Sequence, residues 1–442
     1  MAMKLTRNHF HVNVLQEGEK CSYKNGVLTV NYEELLEVAA PYTRNIKKIW
    51  FEVCRPGEDA RIIHILDVIY PMYKLEKPEG YGGGEYPGVL NYPYTCGEGV
   101  TNVLDGLSVM QCCALPWDAE NASSGLLYTR DSIVQTTGFY KHYTPFPDMI
   151  NLIVDMEVVD GHSADEYDND IRKSTMAMAQ HLAKLTAGET PDEVEVFDNT
   201  VTDESLPKVA LVWQCQNQGV YANTLLYGLP IYDIVPTLLE PTEILDGCVV
   251  GGNFAWPTNR VPTYIHTNLP ILLELMKRHG KELNFMGVIF CRSHNPSNWH
   301  KDRCSQLCAK MAKQLGCDGL IMSWEGGGNA AIDGMLTVQN AERRGLITSL
   351  LTFEFGGQDG TEGQLLVDDV PEANAIVSTG SWERPVHLDA VQKAYGGEFL
   401  RLQKEVGGVF PPATAALDLE TNIHLLMGGN ASGYSRITCH EY

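Results

Sequence analysis

Basic residues are scarce in this chain: 33 Lys and Arg stand against 56 Asp and Glu, a formal net charge of −23 at pH 7. A phosphate-binding surface needs clustered Lys and Arg, so this balance argues against nucleic acid as a partner. It serves solubility instead, and it can steer a basic partner. No apolar run reaches the roughly 18 residues needed to span a bilayer, and the opening MAMKLTRNHFHVNV lacks the apolar stretch of a secretory signal. The simplest expectation is a cytoplasmic protein. Two catalytic signatures are missing as well, the G-x-S-x-G nucleophile elbow and a C-x-x-C redox pair. The twelve cysteines are scattered over 442 residues, which reads as reduced thiols and not as a disulfide framework. Cys112 and Cys113 are adjacent, a spacing that strains a bridge. With no nucleophile motif of its own, the chain is expected to work with an obligate partner subunit in an oligomeric assembly.

What is present is ordinary for a globular protein: 44% hydrophobic and 20% charged residues, enough to bury a large core. No internal repeat or low-complexity tract interrupts it. The first 135 residues read as mainly strand. HFHVNVL is followed by CSYKNGVLTV, whose Asn25-Gly26 predicts a hairpin turn. Asn31 and Glu34 are spaced as a capping box for the helix YEELLEVAA, and KKIWFEVC, ARIIHILDVIY and VTNVLDGLSVMQCCAL read as further strands. Gly82-Gly83-Gly84 lies in a Pro- and Tyr-rich loop with no helix behind it, which suits a turn better than a phosphate loop.

From about residue 163 helices and strands alternate. SADEYDNDIRKSTMAMAQHLAKLTAG has a serine start, a helical apolar period and a glycine stop. The acidic stretch at 189–205 reads as a surface loop before the apolar strand PKVALVW. LPILLELMKRHG and NFMGVIF, CSQLCAKMAKQLG and DGLIMSW, then AAIDGMLTVQNAERRG and LITSLLTF are three helix–strand pairs. The expected fold class is α/β: a β-rich N-terminal part, 1–150, followed by a doubly wound, mostly parallel α/β sheet over 151–442. A central loop at 228–270 would be the functional segment, since ligands bind such sheets at the carboxyl ends of strands. That loop is too rich in Pro, Gly, Asn and Thr for regular structure and too apolar for a solvated linker.

Four groups of residues carry candidate chemistry. CRSHNPSNWHKDRCSQLC brings Cys291, His294, His300, Cys304 and Cys308 close in sequence, a set able to hold zinc. Cys304 and Cys308, one helical turn apart, are more simply an apolar face. No metal is assigned on this basis, with His294 and His300 as the alternative ligands. In WEGGGNAAIDG, Gly326, Gly328 and Ala331 fit G-x-G-x-x-A between a strand and a helix. The looser reading is preferred: Gly326, Gly327, Gly328 and Asn329 open a helix whose free N–H groups bind a substrate carboxylate. Among Glu243, Asp246, Glu325, Asp333, Glu354 and Asp359, the pair Glu325 and Glu354 falls at the ends of successive strands, placed for acid–base work or for holding an ammonium group. Asp333 and Asp359 suit capping and turns equally well. Phe254, Trp256 and Tyr264, a set that Trp213 and Trp324 could join, suit either core packing or a cage for a quaternary ammonium. His266 is either a general acid or base or a loop anchor.

PTEILDGCVVGGN, followed by Pro257, Val261, Thr263, Tyr264 and His266, resembles the processing region of the proprotein subunit of component B of glycine, sarcosine and betaine reductases, to which the D-proline reductase proprotein is analogous. RPGEDARI, LPKVALV, KRHGKELNFMGVI, the CDGLI-SWEGGGN region, FEFGGQDG and SGYSRIT extend the resemblance over most of the chain. In that family a cysteine follows the Gly-Asn pair; its thiol cleaves the preceding peptide bond and leaves a pyruvoyl group. Here Gly252-Asn253 is followed by Phe254, which has no nucleophilic atom, so self-cleavage and a pyruvoyl cofactor are not expected. The resemblance implies a substrate-activating subunit that works with a selenocysteine- or cysteine-bearing partner in reductive C–N cleavage. Asn253, Phe254, Trp256 and Tyr264 would bind a small amine or amino-acid-derived substrate, and His266, Glu325 and Glu354 would be catalytic. The alternative is a divergent member of a two-subunit hydrolase or lyase, with or without a metal.

Overall fold

The computed structural model describes residues 3–76, 96–115, 132–217, 224–252, 256–357, 359, 361, 366, 368–402, 410–430 and 432–434. Gly82-Gly83-Gly84, Asn253 and Phe254 lie outside them.

The Asn-Gly turn forms as its sequence dictates. Asn25 and Gly26 both take positive φ, 49° and 79°, joining the antiparallel strands Ser22–Lys24 and Val27–Val30. Asn31 caps the helix Tyr32–Ala39 by accepting from the Glu34 N–H, but the box is only half made: the Glu34 carboxylate accepts from Cys21 N–H at 2.9 Å instead of turning back to Asn31. Two stretches that read as single strands are each divided by one left-handed residue. His64, φ 55°, separates Ala60–Ile62 from Ile65–Ile69, and Gly106, φ 74°, separates Gly99–Asp105 from Leu107–Cys113, sending the two pieces into different sheets.

The strand pairing of the β-rich part runs across residue 150. Ile150–Val158 lies parallel to Leu107–Cys113 and antiparallel to Ile46–Cys54, and the helix Ala164–Lys184, closed at its start by a full Ser163/Glu166 capping box, packs over these strands. The acidic stretch expected as a loop is in part an edge strand: Glu193–Asp198 pairs antiparallel with Lys4–His11. Its charges face solvent, which an edge position permits. Even Lys393–Tyr395, near the end of the chain, returns to pair with Ala60–Ile62.

The second part is a sheet of six strands among the described residues, in the order Thr237–Leu239, Asn284–Arg292, Lys208–Cys215, Gly319–Trp324, Ile347–Glu354, Ile376–Ser381. The pairs are parallel except at Thr237–Leu239. Lys208–Cys215 comes first in sequence; the chain adds Asn284–Arg292 on one side of it, then crosses back to add Gly319–Trp324 on the other. That reversal is the topological switch point of a doubly wound sheet, and the crevice at the carboxyl ends of these two strands is where such sheets bind ligands.

The two faces of Lys208–Cys215 look into different cores. Ala210 and Val212 join Cys291, Trp324 and the helices Asn298–Gln314 and Asn329–Glu342, whereas Leu211, Trp213 and Cys215 join Leu272 and Leu275 of helix Pro270–Arg278 and the apolar residues of the β-rich part. A continuous apolar strand is what burial on both faces requires. Among the described residues no helix is long and apolar enough to cross a membrane.

Candidate active site at the switch point

Glu325 leaves the end of Gly319–Trp324 directly at the switch point, its own N–H donating to the Gln214 carbonyl at 2.8 Å. Its side chain is fully buried on the Trp213/Cys215 side of the sheet. Oε1 accepts from Val261 N–H at 2.8 Å, and Oε2 from Gln216 N–H at 3.2 Å. Burial outweighs these bonds and the neighbouring Cys215 thiol, raising the Glu325 carboxyl to about 8. Cys215 itself is held well above the ordinary thiol range by burial and by the adjacent carboxyl.

His266 ends the short helix Thr263–His266. Its Nδ1 accepts from Trp213 Nε1 at 3.3 Å, so the neutral ring carries its proton on Nε2, which faces Glu325 Oε1 at 3.7 Å. Burial lowers His266 to about 3, with a Val261 backbone hydrogen bond opposing. Near neutral pH the imidazole is uncharged and the carboxyl is largely protonated. The contact is a neutral juxtaposition, too long for a hydrogen bond, and not an ion pair. The ligand atoms of Cys215, His266 and Glu325 lie within 4.8 Å of one another.

The central loop is tied into this cluster by its backbone. Gly251 N–H donates to Thr263 Oγ1 at 2.8 Å, Thr263 N–H donates to Asp67 Oδ1 at 2.8 Å, and Arg172 Nη1 donates to the Gly251 carbonyl at 3.0 Å. A Cβ on Gly251 would stand 2.6 Å from the Val261 carbonyl oxygen, so only glycine permits this approach. Asp67, fully buried, is raised by desolvation against the opposing Thr263 bonds.

On the far side of Glu325 lies a second group. Gly326 and Gly328 take positive φ, 122° and 56°, and Gly328 opens the helix Asn329–Glu342 without a side-chain cap. The Trp256 ring packs directly on Gly327, leaving no room for a side chain there. Trp256 lies 5.3 Å from Trp382, which is 5.2 Å from Phe355. Glu354, at the end of the strand beside Gly319–Trp324, is buried here, and its Oε2 has no hydrogen-bond partner among the described residues. The same holds for both amide atoms of Asn259, buried next to Gly327, and for Trp382 Nε1. Buried polar atoms without a partner are rare, so Glu354, Asn259 and Trp382 are candidates for contact with a ligand.

The residues singled out by sequence thus divide. Glu325 and Glu354 do fall at neighbouring strand ends, with His266 beside Glu325; Gly326, Gly327, Gly328 and Asn329 follow Glu325 directly, and Trp256 packs on Gly327. Tyr264 is not part of one cage with Trp256: its ring packs on Tyr70 at 4.7 Å and Phe146 at 5.6 Å, inside the core of the β-rich part. His294 and His300 belong to no group of three ligand atoms among the described residues; His300 Nδ1 instead pairs with Ser297 Oγ at 2.8 Å at a helix start. Asp246 binds Lys74, Thr101 and Gly97 N–H, Glu243 closes a helix turn and bonds Tyr227, Asp333 pairs with Lys301 at 2.6 Å, and Asp359 caps a turn at Thr361; these acids are structural. Cys215, Asp67, Asn259 and Trp382 were not singled out. A lone cysteine at a strand end and an asparagine in a proline-rich loop carry no periodic signal.

A doubly wound α/β protein with a buried carboxylic acid at its switch point and a half-satisfied polar and aromatic group next to it is the class these observations define. Residues 3–440 match the family model of glycine/sarcosine/betaine reductase component B subunits, and the chain belongs to that family. It is 34% identical over 452 residues to the glycine reductase complex component B subunits alpha and beta of Acetoanaerobium sticklandii. It is 32% identical over 447 residues to the sarcosine reductase complex component B subunit alpha of Peptoclostridium acidaminophilum, and 31% over 466 to the betaine reductase complex component B subunit alpha of the same organism. All three alignments cover the whole of both chains. No solved structure matches.

Proposed function

We propose that this chain is the substrate-binding subunit of a reductase complex of the glycine/betaine type, acting on an amino-acid-derived substrate that is quaternary or N-substituted, without a pyruvoyl group. The observation that carries this is Phe254, in the place of the cysteine that the family resemblance implies, within a chain that otherwise matches the family along its length. Without a protein carbonyl there is no imine to form, and a quaternary ammonium, having no N–H, needs none.

The residues at hand fit such a substrate. Trp256, Trp382 and Phe355 offer aromatic faces, each contact contributing about 0.5–2 kcal/mol to cation binding, and the Glu354 side chain, whose Oε2 has no partner among the described residues, offers a polar counterpart for the cation. The start of Asn329–Glu342, with no side-chain cap, suits the substrate carboxylate. A thiolate or selenolate of a partner subunit attacks the α-carbon, forming the C–S or C–Se bond as the C–N bond breaks. The nitrogen departs with the bonding pair as a neutral amine, so no proton has to be supplied to it. The two electrons of the net reduction enter through the partner.

Calorimetric titration of the purified chain with a trimethylammonium carboxylate and with its primary-amine counterpart tests the reading. The quaternary ligand should bind at least about tenfold more tightly, equivalent to about 1.4 kcal/mol, and Trp382→Ala should abolish the preference. Equal affinities for the two would overturn it. A metal-dependent hydrolase or lyase remains the second reading, favoured by the Cys215, His266 and Glu325 ligand atoms; bound zinc that disappears in His266→Ala would support it. The two backbone N–H bonds already held by Glu325 weigh against it.

A further inference from the structure

Cys291, Cys304 and Cys308 lie away from the switch-point cluster, on the opposite face of the sheet. Cys291 stands level with Gln214 in the pairing of Asn284–Arg292 with Lys208–Cys215, and alternation then directs it away from Trp213 and Cys215. Cys304 and Cys308, one turn apart, present their thiols to it from the helix Asn298–Gln314. All three are free thiols and buried, and their sulfurs lie within 4.8 Å of one another. Three sulfurs each about 2.3 Å from a zinc ion would be about 3.8 Å apart, so small rotations about χ1 suffice to close the set.

We infer that Cys291, Cys304 and Cys308 form a three-sulfur site for a soft, thiophilic metal ion that pins the helix Asn298–Gln314 to the sheet. Three points support it. The donors are all sulfur, the set that selects zinc or copper(I) over hard cations. The three thiols are near enough to share hydrogen bonds with one another, with Asn295 and Arg292 beside Cys304. Three thiolates around a divalent ion leave one negative charge, and the Arg292 guanidinium stands close enough to offset it. On binding, each sulfur still carrying a proton releases it to solvent and donates an electron pair to the ion; no oxidant or reductant takes part.

The test uses the full chain, reduced and equilibrated with zinc(II) by dialysis, with metal counted by mass spectrometry and free thiols by titration. One equivalent of zinc is expected, together with a higher melting midpoint. Both should vanish in Cys304→Ser/Cys308→Ser and persist in Cys317→Ser, a buried cysteine outside the trio, and in His266→Ala. The His266→Ala arm separates this site from a zinc at the switch point. Should the double variant fail to fold, Cys291→Ser provides the same readout from the strand side. A reduced native chain that takes up no zinc, or a trio variant that keeps its equivalent, would overturn the inference. So would the loss of two thiols to a disulfide within the trio in place of metal uptake.

Discussion

Two buried titratable residues with opposite shifts face each other at the switch point, and their linkage to stability follows from sign alone. Glu325 moves from 4.5 to about 8, so its contribution is fully present below pH 4.5 and is lost as pH rises through 8. His266 moves from 6.5 to about 3; its contribution is present above 6.5 and is lost as pH falls through 3. The two oppose each other between about 4.5 and 6.5, and between 6.5 and 8 only Glu325 of the pair is at work. Thermal melts of Glu325→Gln should therefore show a smaller decline in midpoint from pH 6.5 to 8 than the native chain, part of the remainder coming from His9, which, against burial, its carboxylate partners raise to about 9, while keeping the acid-side behaviour governed by His266. A native chain whose midpoint is flat across that interval would show that Glu325 ionises freely. The same carboxyl should report a cation arriving nearby. Binding a quaternary ammonium at pH 7 is expected to release a fraction of a proton from Glu325, seen as a calorimetric enthalpy that changes with buffer ionisation, and Glu325→Gln should remove that dependence.

At the scale of elements, the glycine-rich turn before Asn329–Glu342 is built around the Trp256 ring. Gly327→Ala puts a methyl group into that ring, and overpacking of this kind costs roughly 1–3 kcal/mol. The variant is expected to bind the quaternary ligand more weakly than its loss of stability alone explains, because Trp256 must move off Trp382. Denaturant melts and ligand titration of the same sample check both halves of that statement. Most of these elements were legible in the sequence. PKVALVW, NFMGVIF, DGLIMSW and LITSLLTF are short apolar runs between helical periods, and the helices carried caps and glycine stops. Glu193–Asp198 was not read as a strand because its acids point to a surface loop; Val194 and Val196 alternate with Glu193 and Glu195 but are exposed, so the alternation marks no buried face and only the partner Lys4–His11 defines it. Nor were the small strands after Ile376, of three to six residues each, long enough to show a period. The site was half legible. Strand order placed Glu325 and Glu354 together once the helix–strand alternation was read, and His266 came from the family pattern. The division of Trp256 from Tyr264, and the arrival of Trp382 and Asn259, depend on contacts between segments distant in the chain.

Across the whole molecule, buried charges join the β-rich part to the doubly wound sheet. Arg7 donates to the Leu245 and Thr267 carbonyls and, at 3.0 Å, to Asn268 Oδ1. Asp246 takes Lys74 and Thr101 of the β-rich strands together with Gly97 N–H. Removing one member of such a pair strands the other, at about 3–5 kcal/mol. Asp246→Ala should accordingly lower the stability of the entire chain in a single cooperative transition; a melt in which only part of the signal is lost would show the two parts to be independent. We propose above that this family member handles its substrate without cutting itself. Native purification from the source cells, with intact mass of this chain and identification of what elutes with it, decides between a cut and an uncut chain. An uncut chain of 49.0 kDa accompanied by a second protein bearing a reactive selenocysteine or cysteine is the expected result. A chain split between Asn253 and Phe254, or an uncut chain that elutes alone with zinc lost on His266→Ala, would contradict it.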